Sequence, residues 1–159
     1  MGRFGITLNR QDFISSFISY HIISYHNITS KVKKLGLEED IGEILKDSKE
    51  WSQEGILGVA VVKPSGQMVA SALPKEISEK RFAAMALVVL GTADRVCDEL
   101  GAGNMVQAII EGSKMKAILM SVGEKALLAG LTSKDANVNS ALSEMKRTAI
   151  RVKKVMAEY

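Results

Sequence analysis

The sequence has little of what metal sites, disulfide scaffolds and base-stacking proteins require. Cys97 is the single cysteine, which excludes an internal disulfide and is consistent with a reducing compartment. His21 and His26 are five residues apart, whereas ligands sharing one helix face are three or four apart and those on one strand face are two apart. Aromatic residues make up only 5% of the chain, too few for the stacking surfaces of single-stranded nucleic-acid binders. We therefore expect no metal site, no cofactor and no nucleic-acid partner.

A strong excess of charge of one sign is also absent. The formal net charge is +3, and the positive charge is concentrated in the first 36 residues and in the last predicted helix. Neither cluster is dense, so both are interpreted as solvated basic stretches. Contact of the first stretch with a membrane surface stays open as an alternative.

Residues 1–36 lack the uninterrupted apolar run of a membrane span. Large apolar side chains recur from Phe13 to Tyr25, but serine and histidine interrupt them, and the pattern fits a helix or a strand. Three interpretations are open: a flexible tail, an amphipathic helix that docks on a partner or a lipid surface, or a stretch upstream of a true start between Lys31 and Leu37. We favour a poorly packed appendage. The predicted domains are an N-terminal extension, residues 1–36, and a folded domain, residues 37–159.

From Leu37 onward the pattern becomes regular. Acidic residues after Leu37 favour a helix start, and apolar residues up to Trp51 give this first helix one buried face before Gly55 ends it. Apolar runs separated by turn residues predict five strands and two more helices. In order, these are strands at Ile56–Lys63 and Met68–Leu73, a helix at Glu79–Leu100, strands at Met105–Glu111, Lys116–Val122 and Lys125–Thr132, and a helix at Asn137–Met156.

This order, α-β-β-α-β-β-β-α, predicts the fold class. Hairpin-length connections require neighbouring antiparallel strands. The expected fold is therefore α/β of the α+β kind, with a five-stranded antiparallel sheet flanked by helices on both faces.

The helix at Glu79–Leu100 is the most informative segment, because no charged residue occurs from Phe82 to Ala93. A helix that is apolar on two sides is normally buried on both. The face containing Phe82, Met85, Ala86, Val89, Ala93, Val96 and Leu100 is predicted to pack on the sheet. The opposite face, with Ala84, Leu87, Val88 and Gly91, is predicted to contact a second copy of the chain across a two-fold axis. The alternative is that the first helix or the N-terminal segment covers this face. Cys97 lies near the sheet-facing side and is interpreted as a packing residue.

Motifs that carry catalysis are absent from the sequence. The glycines near Ser113 and those at Gly101 and Gly103 do not form a phosphate-binding loop and are interpreted as turns. No nucleophile motif and no histidine pair for zinc proteolysis is present. We expect a protein that is not an enzyme, with no catalytic, cofactor-binding or metal-binding residues.

Several short motifs, in this order and spacing, resemble the roadblock/dynein-light-chain family over roughly Ile41 to Val155. They are Gly58–Val62, Gly66–Ser71, the long helix rich in Ala, Leu and Val, and Leu131–Asn137 leading into Met145–Arg147. The family often has Gly where this chain has Asn139, and it usually lacks a segment like Met1–Ser30. The resemblance is to a stand-alone, prokaryotic-type roadblock protein.

The resemblance implies a profilin-like, roadblock architecture with the long helix on one side of the sheet. It also implies a homodimer in which the long helices pack antiparallel and the strand at Met105–Glu111 pairs with its copy, so that Met105, Gln107 and Ile109 join the predicted interface. Members of the family regulate or anchor small Ras-like GTPases, and others are dynein light chains. The function so implied is a cytoplasmic, non-catalytic homodimeric regulator or scaffold that binds a small Ras-like GTPase. One alternative is a passive scaffold or light-chain subunit of a larger complex. The other is a membrane-surface or nucleic-acid adaptor that uses the N-terminal segment and the basic last helix.

Overall fold

The computed structural model describes residues 10–47 and 51–159. The chain divides into two compact units, Met1–Gly36 and Leu37–Tyr159. The helices and strands are α1 (Arg10–Lys46), β1 (Ile56–Val62), β2 (Met68–Ala72), α2 (Glu79–Glu99), β3 (Gln107–Glu111), β4 (Met115–Val122), β5 (Ala126–Ser133) and α3 (Val138–Glu158). Predictions that concern residues 1–9 and 48–50 lie outside the described residues.

The five strands form one antiparallel sheet in the order β2-β1-β5-β4-β3, which confirms the predicted fold class. The strands β5 and β1 lie at the centre and are almost wholly buried, whereas β3 forms one edge with nearly all of its residues exposed. The first hairpin turns at Gly66, whose φ of 88° favours glycine, and Lys63 N donates a 2.9 Å hydrogen bond to Gln67 O. The three-strand meander from β3 to β5 follows from short connections of this kind.

One face of the sheet carries α3 and the part of α1 from Leu37 onward. Both helices bury their apolar residues in a single aliphatic cluster with Val59, Ile118 and Leu128 of the strands. In α3, buried positions recur at intervals of three and four, as the sequence predicts for a one-sided helix. Its N-terminus is capped by Asn137, whose side chain accepts a 3.1 Å hydrogen bond from Ser140 N.

The other face carries α2. Ser78 is the N-cap and accepts a hydrogen bond from Arg81 N, and Gly101, with a φ of 62°, follows the last residues of the helix. Phe82 and Ala86 pack against Leu119, Leu127 and other residues of the central strands in a second, smaller cluster. The two predicted ends of α2 are confirmed to within one residue.

The first helix differs from its prediction at both ends. It begins at Arg10 rather than near Leu37, so residues 10–36 are helical, and it ends at Lys46 rather than near Gly55. Trp51 lies in a turn, where it is still buried in the cluster on the α3 face, and its indole Nε1 donates a 3.1 Å hydrogen bond to Leu45 O. The sequence correctly predicts that Trp51 is buried, but it places this residue on the first helix instead of in the turn that follows.

Within the Met1–Gly36 unit, the described helix residues are almost all exposed, including the large apolar ones. Among residues 10–47 and 51–159, none of the helices has the combination of length and apolar character that a bilayer crossing requires.

Candidate interaction surface

The outward side of α2 and the neighbouring edge strand β3 leave apolar side chains uncovered. Met85, Val88 and Val96 project from α2 and are exposed, with Val88 at 69%. On the same side of the sheet, Ile110 of β3 and Met115 at the start of β4 are also exposed. These five residues are called the α2–β3 surface below. Since apolar patches of this kind on small proteins mark interaction sites, the surface is the candidate functional site.

A groove runs between α2 and the sheet beside this surface. Its volume is about 330 Å³, and its lining is almost wholly apolar, with Phe82, Met85 and Val89 on the helix side. Ile110, Met115 and Leu119 line it from the strands, and Arg81 lies at its border. A groove with so few polar groups offers nothing to orient a polar substrate, but it fits aliphatic side chains of a partner.

The outer edge of β3 is the second component of the site. In the described part of the chain, β3 pairs with β4 alone and no strand pairs with its other edge. The residues that precede β3 are fixed by Ser121 of β4, whose Oγ donates to Met105 O at 2.7 Å and whose N donates to Val106 O at 3.0 Å. An open strand edge presents unpaired N–H and C=O groups, so it is a template for pairing with another strand.

The structure places the predicted interface residues in three different environments. Exposed on α2 are Ala84, Val88 and Gly91, and exposed on β3 are Gln107 and Ile109. Leu87 is half-buried rather than exposed. It packs toward the β1–β2 turn, where a Cβ built on Gly66 would lie 2.8 Å from Leu87 Cδ1. Met105 is 4% exposed and belongs to the core cluster under α2, so its placement on a surface is wrong.

The prediction of which α2 residues face the sheet also needs correction. Met85, Val96 and Leu100 were expected to pack on the sheet but are exposed, whereas Ala83 is buried there. Leu87 instead lies against the turn at Gly66, and the free apolar side of the helix faces the groove beside β3. Ile110 and Met115 were missed altogether, although Ile110 lies two residues after Ala108, and side chains two apart on a strand share a face.

Groups that perform chemistry are sparse around this surface. Among residues 10–47 and 51–159, no group of three or more His, Cys, Asp and Glu side chains could hold a metal ion. Cys97 is a free, half-buried thiol that packs against the cluster under α2, as predicted. The pKa of Tyr159 is raised because its hydroxyl donates a hydrogen bond to the Asp40 carboxylate, and this pair lies on the opposite side of the sheet, between α3 and α1.

Comparison with known proteins agrees with this fold. The Roadblock/LC7 domain matches residues 51–132, more than half of the chain and including β1 to β5 up to Thr132. The chain belongs to the Roadblock/LC7 family. The uncharacterized protein MJ0310 of Methanocaldococcus jannaschii is 36% identical to this Roadblock/LC7 chain over 100 residues, which are 63% of the chain and 87% of that protein. The uncharacterized protein MJ0714 of the same organism is 33% identical over 100 residues, 63% of the chain and 84% of that protein.

Solved structures share the fold of the Roadblock/LC7 chain at low sequence identity. Myxococcus xanthus MglB has a TM-score of 0.68 and 15% identity, and the match covers 76% of this chain and 90% of MglB. The gliding protein MglB of Thermus thermophilus has a TM-score of 0.69 and 17% identity, covering 77% of this chain and 93% of that one. These likenesses confirm the roadblock architecture of the sheet and its helices.

Proposed function

We propose that this Roadblock/LC7 chain is a cytoplasmic, non-catalytic homodimeric regulator or scaffold that binds a small Ras-like GTPase. The observation that carries the proposal is the α2–β3 surface, an apolar helix side that adjoins an open strand edge. Family membership supports the partner, since the roadblock family is one whose members regulate or anchor Ras-like GTPases.

The first step of the proposal is that a second copy of the chain covers the α2–β3 surface. A copy brings the same helix and the same strand edge, so that one two-fold axis covers both at once. The α2 helices would lie antiparallel, with Met85 and Val96 of each copy directed toward the groove of the other. The two β3 edges would pair into a ten-stranded sheet, through the backbone around Gln107 and Ile109.

The charges on α2 support an antiparallel arrangement. Arg81 and Glu99 are eighteen residues apart, or five turns, so they lie on the same side of the helix near its two ends. Val88 and Thr92 lie between them on that side. In an antiparallel pair, Arg81 of each copy would meet Glu99 of the other, whereas a parallel pair would bring like charges together.

A charge exchange on α2 tests the dimer. We expect wild-type protein to sediment as a dimer and Val88→Glu to be monomeric, because a carboxylate would be buried at the centre of the contact. Arg81→Glu and Glu99→Arg should each weaken dimerisation by about 5- to 50-fold, and the double exchange should restore it. A wild-type monomer at micromolar concentration, or a double exchange no better than the single ones, would refute the antiparallel pair.

The second step is that the dimer acts on a GTPase without catalytic groups of its own. A binding platform can change hydrolysis or exchange by holding switch loops in one of their two states. The test is the rate of GTP hydrolysis and of nucleotide exchange by a Ras-like GTPase from the same organism, with and without the chain. A changed rate that is lost in Val88→Glu supports regulation by the dimer. Tight stoichiometric binding with unchanged rates would instead support a passive scaffold or light-chain role, and no binding to any such GTPase would overturn the partner.

A further inference from the structure

Residues 10–36 of α1, called the N-terminal helix below, present a second apolar surface that the dimer proposal does not use. Every large apolar side chain of this segment is exposed, eleven in all. They are Phe13, Ile14, Phe17, Ile18, Tyr20, Ile22, Ile23, Tyr25, Ile28, Val32 and Leu35. So many exposed aromatic and branched side chains in one stretch exceed what a soluble surface usually tolerates, which points to a binding partner.

Most of the large apolar side chains lie on one broad side of the N-terminal helix, whereas Ile23 lies on the other side. At about 100° per residue, Phe13, Phe17, Ile28 and Leu35 lie within about 60° of one another. The aromatic part of this face is continuous, because the ring centroids of Phe13 and Phe17 are 6.4 Å apart and those of Phe17 and His21 are 4.1 Å apart.

The opposite side of the same helix carries most of its polar side chains. Ser15, Ser16, Ser19, His26 and Ser30 lie there, together with the charged residues Asp12, Lys33 and Lys34. The segment therefore combines a broad apolar side with a polar side of serines and charged residues. It resembles the helices that lie in a membrane interface and bind through buried apolar area.

Pairing between two copies of this helix fits the sequence poorly. The heptad seam that follows the apolar side consists of Ile14, Phe17, His21, Ser24, Ile28, Lys31 and Leu35. Three of these seven core positions are therefore polar or charged. A coiled coil would bury His21, Ser24 and Lys31 along its axis, whereas at a lipid surface such side chains can reach the aqueous headgroups.

The charge of the segment indicates which surface covers it. The N-terminal helix contains four basic side chains, Arg10, Lys31, Lys33 and Lys34, and a single acidic one, Asp12. Three of the basic residues are clustered at the end of the segment, where Lys31 borders the apolar side. Basic side chains next to an apolar helix face complement anionic headgroups and allow the face to enter the acyl boundary.

We propose that the N-terminal helix lies on a lipid surface that contains anionic headgroups, with Phe13, Phe17, Ile28 and Leu35 in the acyl boundary. Apolar burial supplies most of the binding, and the Lys31–Lys34 cluster adds a salt-sensitive part. The proposal depends only on residues 10–36, so its test is independent of the proposed dimer and of its GTPase partner.

Flotation of the full-length protein with lipid vesicles tests the proposal. Wild-type protein should float with phosphatidylcholine vesicles that contain phosphatidylserine, and less with phosphatidylcholine alone. Phe17→Glu combined with Ile28→Glu should weaken binding on the order of a hundredfold, since each buried apolar side chain is worth about tenfold or more. The matched control is Ser19→Glu combined with Ser30→Glu, which adds the same two charges to the polar side and should change binding only a few-fold.

A third variant separates the contribution of apolar burial from that of the Lys31–Lys34 cluster. Circular dichroism checks that every variant is folded. Lys31→Gln with Lys33→Gln and Lys34→Gln should reduce binding to phosphatidylserine vesicles while leaving the weaker binding to phosphatidylcholine. The proposal is overturned if wild-type protein floats with neither vesicle, or if both glutamate pairs reduce binding equally. A further result would also overturn it. If wild-type protein does not float and the Phe17→Glu and Ile28→Glu pair lowers its mass in sedimentation, the helix binds another copy of the chain instead of lipid.

Discussion

Helices α2 and α3 each have 21 residues and lie on opposite faces of the same sheet, yet α3 buries seven of its residues and α2 only three. The difference comes from what else each face carries. On the α3 face, the part of α1 from Leu37 onward lies beside the helix and completes a closed cluster. On the α2 face, the helix is the sole cover among the described residues, and the strip of sheet over β3 and β4 is left open as a groove. One face is therefore closed, whereas the other keeps an open apolar groove.

Two methionines provide the largest test of this comparison. Met145 of α3 is fully buried, whereas Met85 of α2 is 64% exposed. We expect Met145→Ala to lower the free energy of unfolding by about 2–5 kcal/mol at any protein concentration, because it leaves a cavity in the closed cluster. Met85→Ala should lower the stability only in proportion to dimer formation, so its effect should vanish on dilution. Chemical denaturation at two protein concentrations measures both. Equal, concentration-independent losses would mean that the two faces do not differ in this way.

A glycine in the closed cluster gives the next largest effect. A Cβ built on Gly130 of β5 lies 3.0 Å from Met145 Sδ and 3.1 Å from its Cε, within a fully packed layer. Gly130→Ala should therefore lower the free energy of unfolding by about 1–3 kcal/mol through overpacking. Combining it with Met145→Ala should recover part of the loss, which thermal unfolding of the single and double variants measures. Additive losses would show that the methionine is not the group that resists the new methyl.

A glycine on the open side should respond in the opposite direction. A Cβ built on Gly91 of α2 meets no atom within 4 Å, and the residue lies in the interior of a helix. Gly91→Ala should raise the free energy of unfolding by about 0.5–1 kcal/mol, because alanine loses less backbone entropy than glycine in a helix. Thermal unfolding of this variant beside Gly130→Ala gives the contrast directly. A lower free energy of unfolding for Gly91→Ala would mean that the added methyl meets atoms that are absent from the isolated chain.

The smallest effect concerns Tyr159, whose hydroxyl donates a 2.5 Å hydrogen bond to Asp40 on the closed side. This hydrogen bond raises the pKa of Tyr159 above its usual value of 10.0. The protonated hydroxyl is thus favoured in the folded chain, so its contribution to stability is present below the usual tyrosine pKa and is lost as the pH rises through the raised one. Ultraviolet titration of wild-type protein and Tyr159→Phe should reveal one tyrosine with a late transition. Identical stability of the two proteins near neutral pH would indicate that the hydrogen bond contributes nothing measurable.

Much of the sheet could be predicted because its signals are local. Apolar runs bounded by turn residues such as Pro64 and Gly66 specify strands and hairpins without reference to the rest of the chain. The cap residues Ser78 and Asn137 mark helix starts in the same way. These elements agree with the structure to within about two residues, as local boundaries usually do.

The orientation of α2 could not be predicted, because the stretch around Leu87 is apolar on every side and periodicity alone does not select one face. In the structure Leu87 lies against the turn at Gly66, a tertiary contact that periodicity does not reveal. Met105 was misplaced for a similar reason, since the strand begins two residues later and Ser121 holds the preceding backbone against β4. The extent of α1 was missed because serines within residues 10–36 weaken the helical signal.

The hydrogen bonds from Ser121 bear on how fast the proposed dimer would exchange its chains. Because they fasten the backbone at Met105 and Val106 to β4, the approach to β3 is held in place in the isolated chain. In the proposed dimer, the conformational entropy of ordering that edge would be lost during folding, not during docking. An arriving strand would then meet an ordered template, and exchange of one bound chain for another would need no coupled folding step.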